Sequence, residues 1–141
     1  KGSDDEVLTL AAGLPSWAVA AGGGGSSLHV ATFSEAGTLA VKSGTFRFYV
    51  DRASTIAYAR ASVGTAPTGA TLICDVNKNG TTIFTTQANR PTIAISGNTD
   101  ESGVPDVTAL ADGDYLEVDI DQIGSTVAGS DLTVQIYMTV D

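Results

Sequence analysis

The chain has 141 residues, of which 16 are acidic and only 7 are Lys or Arg, so its formal net charge is −9. Nucleic acids and anionic membranes are bound through basic surfaces, and this balance argues against both as partners. With one cysteine, Cys74, and one histidine, His29, the chain cannot form an intrachain disulfide and offers too few residues for a transition-metal cluster. We therefore expect no enzyme activity and no cofactor.

Residues 1–21 are predicted to form a short stalk or attachment segment, with one strand over residues 7–10 and a turn over 13–16. This segment is too short, and too interrupted by Gly13 and Pro15, to insert into a membrane. It carries Trp17, the only tryptophan, which needs a packing partner in either a neighbouring chain or the domain itself and is a candidate oligomer contact. Residues 22–27, which are Gly and Ser only, are predicted to be a flexible linker, and residues 28–141 a head domain.

The head domain alternates short apolar-patterned segments with Gly, Pro and Asn turn residues. The strongest signal is Asn79-Gly80 between two β-branched runs, which predicts a tight hairpin. No segment has a useful helical period, and the count of about eight strands is typical of a sandwich or a barrel. Strands are predicted over residues 28–33, 38–42, 46–50, 55–63, 71–76, 81–86, 92–95, 115–123 and 132–140, with a polar loop at 97–103 and a short strand or turn at 104–110.

The sequence from Asp75 to Gly80 resembles the opening of a calcium-binding loop, because Asp75, Asn77 and Asn79 place oxygen atoms at alternate positions and glycine follows at the sixth. The twelfth position, which needs a carboxylate, holds Thr86. The hairpin alone explains Asn79-Gly80, so we rank calcium binding well below a structural turn.

A row of acidic residues follows on one predicted strand face, at Glu117, Asp119 and Asp121. Adjacent carboxylates on one face of a strand are typical of a solvated surface, whereas glycoside hydrolysis needs two of them across a cleft. An ion bridging Asp119 and Asp121 between neighbouring chains is a minority hypothesis. A carbohydrate-active domain remains the most remote of our functional alternatives.

Two further sets of residues are candidates for contacts rather than chemistry. Alanines alternate along one predicted strand at Ala57, Ala59 and Ala61, and such small side chains permit close approach of another sheet or chain. Tyr49 and Tyr137 are candidates for surface recognition, because an exposed tyrosine can stack on a sugar ring. The alternative for these tyrosines is a place at the rim of a subunit contact.

Two parts of the chain resemble bacteriophage virion proteins. The opening segment DDEVLTLAAGLPSWAVAAGGGG is similar to the shaft-to-head junction of phage tail fibres, through Val7, Leu8, Thr9, Gly13, Leu14, Pro15, Ser16 and Trp17. The head, from GTLAVKSGTFRFYV through RASVGTAPTGATLICDVNKNGTTIFTTQANRPTIAI to DGDYLEVDIDQIGSTVAGSDLTVQIYM, resembles a C-terminal β-sandwich of phage structural proteins.

This resemblance implies a jelly-roll-like antiparallel β-sandwich on the exterior of a virion. It implies a homo-oligomer, commonly a trimer, and it transfers no catalytic residues. We expect other virion proteins as partners, and a host-surface glycan as a candidate ligand. The expected function is assembly of a fibre or appendage together with adhesion to the host. The alternative is a capsid decoration or baseplate module that binds no receptor.

Overall fold

The computed structural model describes residues 6–11, 14–19, 27–44 and 46–140, the first two ranges as backbone only, and this part of the chain is all-β. It contains one short 3-10 helix at Gln87–Asn89. The strands are β1 (Glu6–Ala11), β2 (Leu14–Val19), β3 (Ser27–Thr38), β4 (Phe48–Tyr49), β5 (Ser54–Thr65), β6 (Leu72–Lys78), β7 (Thr81–Thr82), β8 (Thr92–Ile93), β9 (Thr99–Glu101), β10 (Ala109–Leu110), β11 (Tyr115–Gln122) and β12 (Ser130–Val140).

The predicted stalk forms a hairpin instead of one strand. β1 pairs antiparallel with β2 from Glu6↔Val19 to Ala11↔Leu14, and the two strands make a separate two-stranded sheet. Residues 13–16 were expected to turn, but Leu14 already pairs in β2. Except for Ser27, which begins β3, the predicted linker lies outside the described residues.

The head domain is an antiparallel β-sandwich of two five-stranded sheets, which confirms the predicted fold class. We call them the β12 sheet, with the order β10-β5-β12-β3 and β9 beside β5, and the β11 sheet, with the order β4-β11-β6-β7 and β8 beside β6. The ten strands exceed the predicted count because several of them have only two or three residues. A strand that short shows no alternation that a sequence pattern can reveal.

The core lies between the two sheets and consists of alternate side chains from the long strands. Leu132, Val134, Ile136 and Met138 of β12 are all buried, as the alternation of this strand predicts. They lie beside the inward residues of β5 in the same sheet and face Leu116 and Ile120 of β11 and the inward residues of β6. Val118 packs against both halves of the core.

The Asn-Gly hairpin is confirmed, but its second arm is much shorter than predicted. Asn79 and Gly80 both have positive φ, 52° and 80°, as a tight turn between twisted strands requires. Only Thr81–Thr82 then pairs with β6, whereas residues 81–86 were expected to form a strand. Ile83 and Phe84 are both fully buried, so the chain leaves the sheet here and covers the end of the core.

Two other predicted segments differ from the structure. Residues 38–42 are not a strand, because β3 runs on to Thr38 and the chain then crosses to the other sheet, where Lys42 forms a single bridge with Ile120. The loop expected at 97–103 contains β9, which pairs with β5 through Arg60↔Glu101. In both places a partner distant in sequence determines the backbone hydrogen bonds.

A β-bulge interrupts the alternation of β5. Tyr137 lies opposite Tyr58 but the next residue, Met138, lies opposite Ile56, so Ala57 is the extra residue. Ala57 is exposed, whereas Ala59 and Ala61 are completely buried under the chain's own second sheet. The alanine face expected from the sequence is therefore split, and Ala59 and Ala61 are withdrawn as oligomer contacts.

Candidate functional site

The acidic row on β11 and the polar residues of β6 share the outer face of the β11 sheet. Asp119 lies opposite Asp75, and Glu117 lies opposite Asn77. The Asn77 side-chain amide donates to Asp119 Oδ2 (2.8 Å), while the backbone N–H of Gly44 donates to Asp119 Oδ1 (2.5 Å). Both carboxylate oxygens of Asp119 therefore accept protein hydrogen bonds, which fasten the segment around Gly44 to the sheet.

Asp75 is only 7% exposed although it lies on the outer face. Its Oδ1 accepts hydrogen bonds from the Thr82 hydroxyl (2.8 Å) and from the backbone N–H of Val76 (2.7 Å). Burial raises the pKa of Asp75, and the nearby charge of Asp121 acts in the same direction, against the two hydrogen bonds. This side chain holds the short strand β7 to β6.

Asn79 and Asp121, the other proposed metal ligands, have different neighbours. The Asn79 amide donates to Asp114 Oδ1 (2.7 Å), and its oxygen accepts from the Tyr115 N–H (3.0 Å). Asp121 forms an ion pair with Arg90. Among the described residues, no group of three or more His, Cys, Asp or Glu side chains is arranged to hold a metal ion. Hydrogen bonds of Asp75 and Asn77 connect β6 to β7 and β11, and those of Asn79 connect the turn to Asp114 and Tyr115.

The two tyrosines singled out for recognition each lie beside a second tyrosine. Tyr49, which is 59% exposed, has its ring 5.7 Å from that of Tyr115, tilted by 53°. The guanidinium carbon of Arg47 lies 4.3 Å from the centre of the Tyr115 ring, a cation–π contact. This pair belongs to the β11 sheet, where Tyr115 and Tyr49 lie opposite each other.

Tyr137 belongs to the outer face of the β12 sheet. Its ring stacks on that of Tyr58, its cross-strand partner, with centroids 4.5 Å apart and an angle of 18°. The guanidinium carbon of Arg60 lies 5.6 Å from the centre of the Tyr137 ring. The same guanidinium forms an ion pair with Glu101, with 2.7 Å between Nη2 and Oε2. Each outer face of the sandwich thus carries a tyrosine pair with an arginine beside it, an arrangement that suits a surface contact with a planar or sugar-like group.

An apolar groove opens between the two sheets along β3. The space between its lining atoms measures about 390 Å³, a volume that includes open solvent. Phe46, at its mouth, is 69% exposed, and the Glu35–Lys42 ion pair (2.5 Å) lies at its rim. The walls of the groove are formed chiefly by Phe33, Phe46, Val118, Ile120, Leu132 and Val134.

β3 itself is an edge strand of unusual length. It has 12 residues and pairs with β12 on one side, and no other described strand pairs with it. The opposite edge of the β12 sheet, and the edges of the β11 sheet, are formed by strands of two or three residues. Edge strands are normally protected by charges, prolines or bulges, because unpaired backbone groups attract further strands. Glu35 is the single charged residue in β3.

The groove and this edge were missed in the sequence analysis. Phe46 was predicted to lie in a strand with Phe48, but β4 begins only at Phe48, and Phe46 lines the groove instead. One available signal was overlooked: no Asp, Glu, Lys or Arg occurs between Glu6 and Glu35, in a chain whose net charge is −9. Trp17 lies within this uncharged stretch, opposite Leu8 in the hairpin; its side chain lies outside the described residues.

No helix in the described ranges is long and apolar enough to cross a membrane. Comparison of the chain with protein-family models, with curated proteins and with solved structures finds no match.

Proposed function

We propose that this chain is a structural protein of a bacteriophage particle, the terminal domain of a fibre or appendage on the virion exterior. In this proposal the hairpin β1–β2 belongs to a stalk through which copies of the chain assemble, as a trimer. The sandwich is the head, and its surface contacts the host. The phage context comes from the sequence resemblance, while the architecture supports assembly and contact rather than chemistry.

The observation that carries the proposal is the separate two-stranded sheet. β1 and β2 pair with each other and lie in a different sheet from either layer of the sandwich. A two-stranded hairpin is marginally stable in water without a further strand or an apolar surface to cover it. Its residues are almost entirely apolar or small, so a second copy of the chain is a suitable cover.

Adhesion is supported by the two tyrosine pairs. Tyrosine contributes apolar area and a hydroxyl at low entropic cost, which is why it is frequent in recognition surfaces. Tyr49 is the more exposed of the two candidates, and the ring of Tyr137 stacks against that of Tyr58 on the neighbouring strand. We propose that one of these pairs takes part in binding a host-surface glycan.

Light scattering coupled to size-exclusion chromatography tests the assembly. We expect a mass three times that of the 14.3-kDa chain. A chain that remains monomeric at concentrations up to about 1 mM would remove the oligomer from the proposal, since an assembly weaker than that is worth less than about 4 kcal/mol.

A glycan array tests adhesion, with Tyr49→Ala and Tyr137→Ala compared separately with the unchanged chain. Loss of about tenfold or more in affinity for one variant would identify the binding face. The variant at the other face serves as the matched control, since both remove one surface tyrosine. Assembly without any glycan binding would favour the alternative, a capsid decoration or baseplate module.

A further inference from the structure

The long free edge of β3 and the groove beside it carry an inference that rests on the proposed homo-oligomer and makes it specific. An antiparallel sheet can accept an extra strand wherever the backbone N–H and C=O groups of an edge strand are unpaired. In the described part of the chain, β3 is the one long edge, and it is next to an apolar opening.

The position of the groove matches what an added strand would need. Phe33 of β3 and Phe46 both line the groove. A strand added to β3 would run about 4.8 Å beyond it, with alternate side chains pointing between the sheets. Those side chains would cover Val118, which belongs to the inner face but is left partly exposed within one chain.

We propose that the free edge of β3 binds the hairpin of a second copy of this chain through its strand β1, and that the groove receives apolar side chains of that strand. β1 is the better donor because Pro15 in β2 lacks an N–H for a new ladder. The hairpin and the edge also both carry little charge, since no Asp, Glu, Lys or Arg occurs from residue 7 to 34: Glu6 is the single such residue in β1 and β2, and Glu35 the single one in β3.

A second copy, and not the same chain, is the occupant for two reasons. Within one chain the hairpin is a sheet of its own, separate from β3. A contact between two different surfaces, the hairpin of one copy and the edge of the next, is heterologous and can close into a ring of three. This agrees with the proposed trimer, and it places the stalk of each copy against the head of its neighbour.

The test uses the full chain with one change in the groove and one in the edge strand. Phe46→Asp places a charge in the groove, and Leu28→Lys places one in β3 itself, where Leu28 is 63% exposed. Val104→Asp is the matched control, because Val104 is 70% exposed and lies in neither the groove nor β3. The readouts are the mass by light scattering and the fluorescence of Trp17, the only tryptophan, which reports on the surroundings of the hairpin.

We expect the unchanged chain and Val104→Asp to assemble with blue-shifted Trp17 emission. Both Phe46→Asp and Leu28→Lys should weaken assembly about tenfold or more and shift the emission to the red. Circular dichroism should stay unchanged, since both altered side chains are exposed.

Four results would overturn the inference. Assembly that neither variant weakens would reject the β3 edge and leave the proposed oligomer intact. Assembly that depends on both residues but leaves the Trp17 emission unchanged would indicate β3 pairing with β3 of another copy. A monomer with blue-shifted Trp17 emission would show the hairpin bound within its own chain, and a monomer with red-shifted emission would reject the inference and the oligomer together.

Discussion

Polar side chains of β6 connect neighbouring strands of the sandwich through hydrogen bonds. Asp75 holds Thr82 of β7, and Asn77 holds Asp119 of β11. Asp75 and Asn77 are both buried, and buried polar groups in folded proteins are nearly always hydrogen-bonded. None of the buried side-chain nitrogen or oxygen atoms in the described residues lacks a hydrogen-bond partner. A sequence that resembles a calcium loop can thus be fully used by the fold itself.

Cys74 should be chemically inert in the folded protein. It is completely buried in the core, and this burial raises the pKa of its thiol to about 12. We expect no reaction with a disulfide reagent at pH 8 in native buffer and one equivalent of reaction in denaturant. Rapid modification of the native protein would contradict this assignment of Cys74 as a core residue.

Asp114 should contribute to the acid sensitivity of the fold. Hydrogen bonds from the backbone N–H of Ala111, from Lys78 and from Asn79 lower its pKa from 3.8 to about 2. A lowered pKa means that the ionised side chain stabilises the folded chain above pH 4, and that this contribution is lost as the pH falls from about 4 to 2. Tm should therefore fall less steeply over this range in Asp114→Asn than in the unchanged chain.

Asp112→Asn is the control for this pH series. It removes the same charge from an exposed neighbouring position. The pKa values of Asp106 and Asp131 are also lowered, by hydrogen bonds from Thr86 and Gly37, so the unchanged chain and both variants should all lose stability in acid. Equal slopes for Asp112→Asn and Asp114→Asn would contradict a particular role for Asp114.

At the scale of elements, the segment after β7 closes one end of the core. Ile83 donates its N–H to the carbonyl of Val76 in β6 (2.9 Å) and accepts from the N–H of Asp106 (3.0 Å), which connects the segment to its hairpin partner and to a distant part of the chain. Phe84, next to it, is 0% exposed and among the largest fully buried side chains. This closing segment is held by these backbone hydrogen bonds and by the packing of its side chains.

Phe84→Ala should therefore be strongly destabilising, by about 3–5 kcal/mol in the free energy of unfolding, because it leaves a cavity in the core. Phe46→Ala is the matched control and should change the free energy of unfolding of the monomer by less than about 0.5 kcal/mol, since Phe46 is exposed. Denaturant titration of both variants, at concentrations where the chain is monomeric, measures the difference. Similar losses would contradict the closing role of Phe84.

The long strands and the Asn-Gly turn could be predicted from the sequence alone. β11 and β12 alternate between buried and exposed sides as predicted, and Asn79-Gly80 forms the predicted turn. These features depend on neighbours in the chain. β9, the bulge at Ala57 and the burial of Ile83 and Phe84 depend on partners far along the chain, which local patterns do not reveal.

The same distinction applies to the candidate surfaces. Tyr49 and Tyr137 could be chosen from composition alone, whereas their pairing with Tyr115 and Tyr58 depends on strand register. The groove beside β3 could not be predicted, because it requires knowledge of which strand ends a sheet. The uncharged stretch that precedes it was visible in the sequence, but its meaning depends on β3 being an edge.

At the scale of the whole molecule, assembly must overcome repulsion between copies that each carry a formal charge of −9. Salt screens such repulsion, with a Debye length that falls from about 30 Å at 0.01 M to about 8 Å at 0.15 M. We expect the dissociation constant of the oligomer to decrease over this range, measured by sedimentation equilibrium. An increase would indicate that oppositely charged patches hold the copies together, contrary to an uncharged interface.

The pairing of β3 with β12 also determines how the head would carry a mechanical load. Ser27, where the chain enters the sandwich, lies opposite Val140, where β12 ends. Tension applied between these two ends would peel the ladder open one pair at a time. A head gripped at its far pole and pulled through the stalk would instead load the β3–β12 ladder along the strands, so that its hydrogen bonds resist together. We therefore expect the head of the proposed fibre to resist tension applied between Ser27 and the far pole of the sandwich. It should open more easily when tension is applied between Ser27 and Val140.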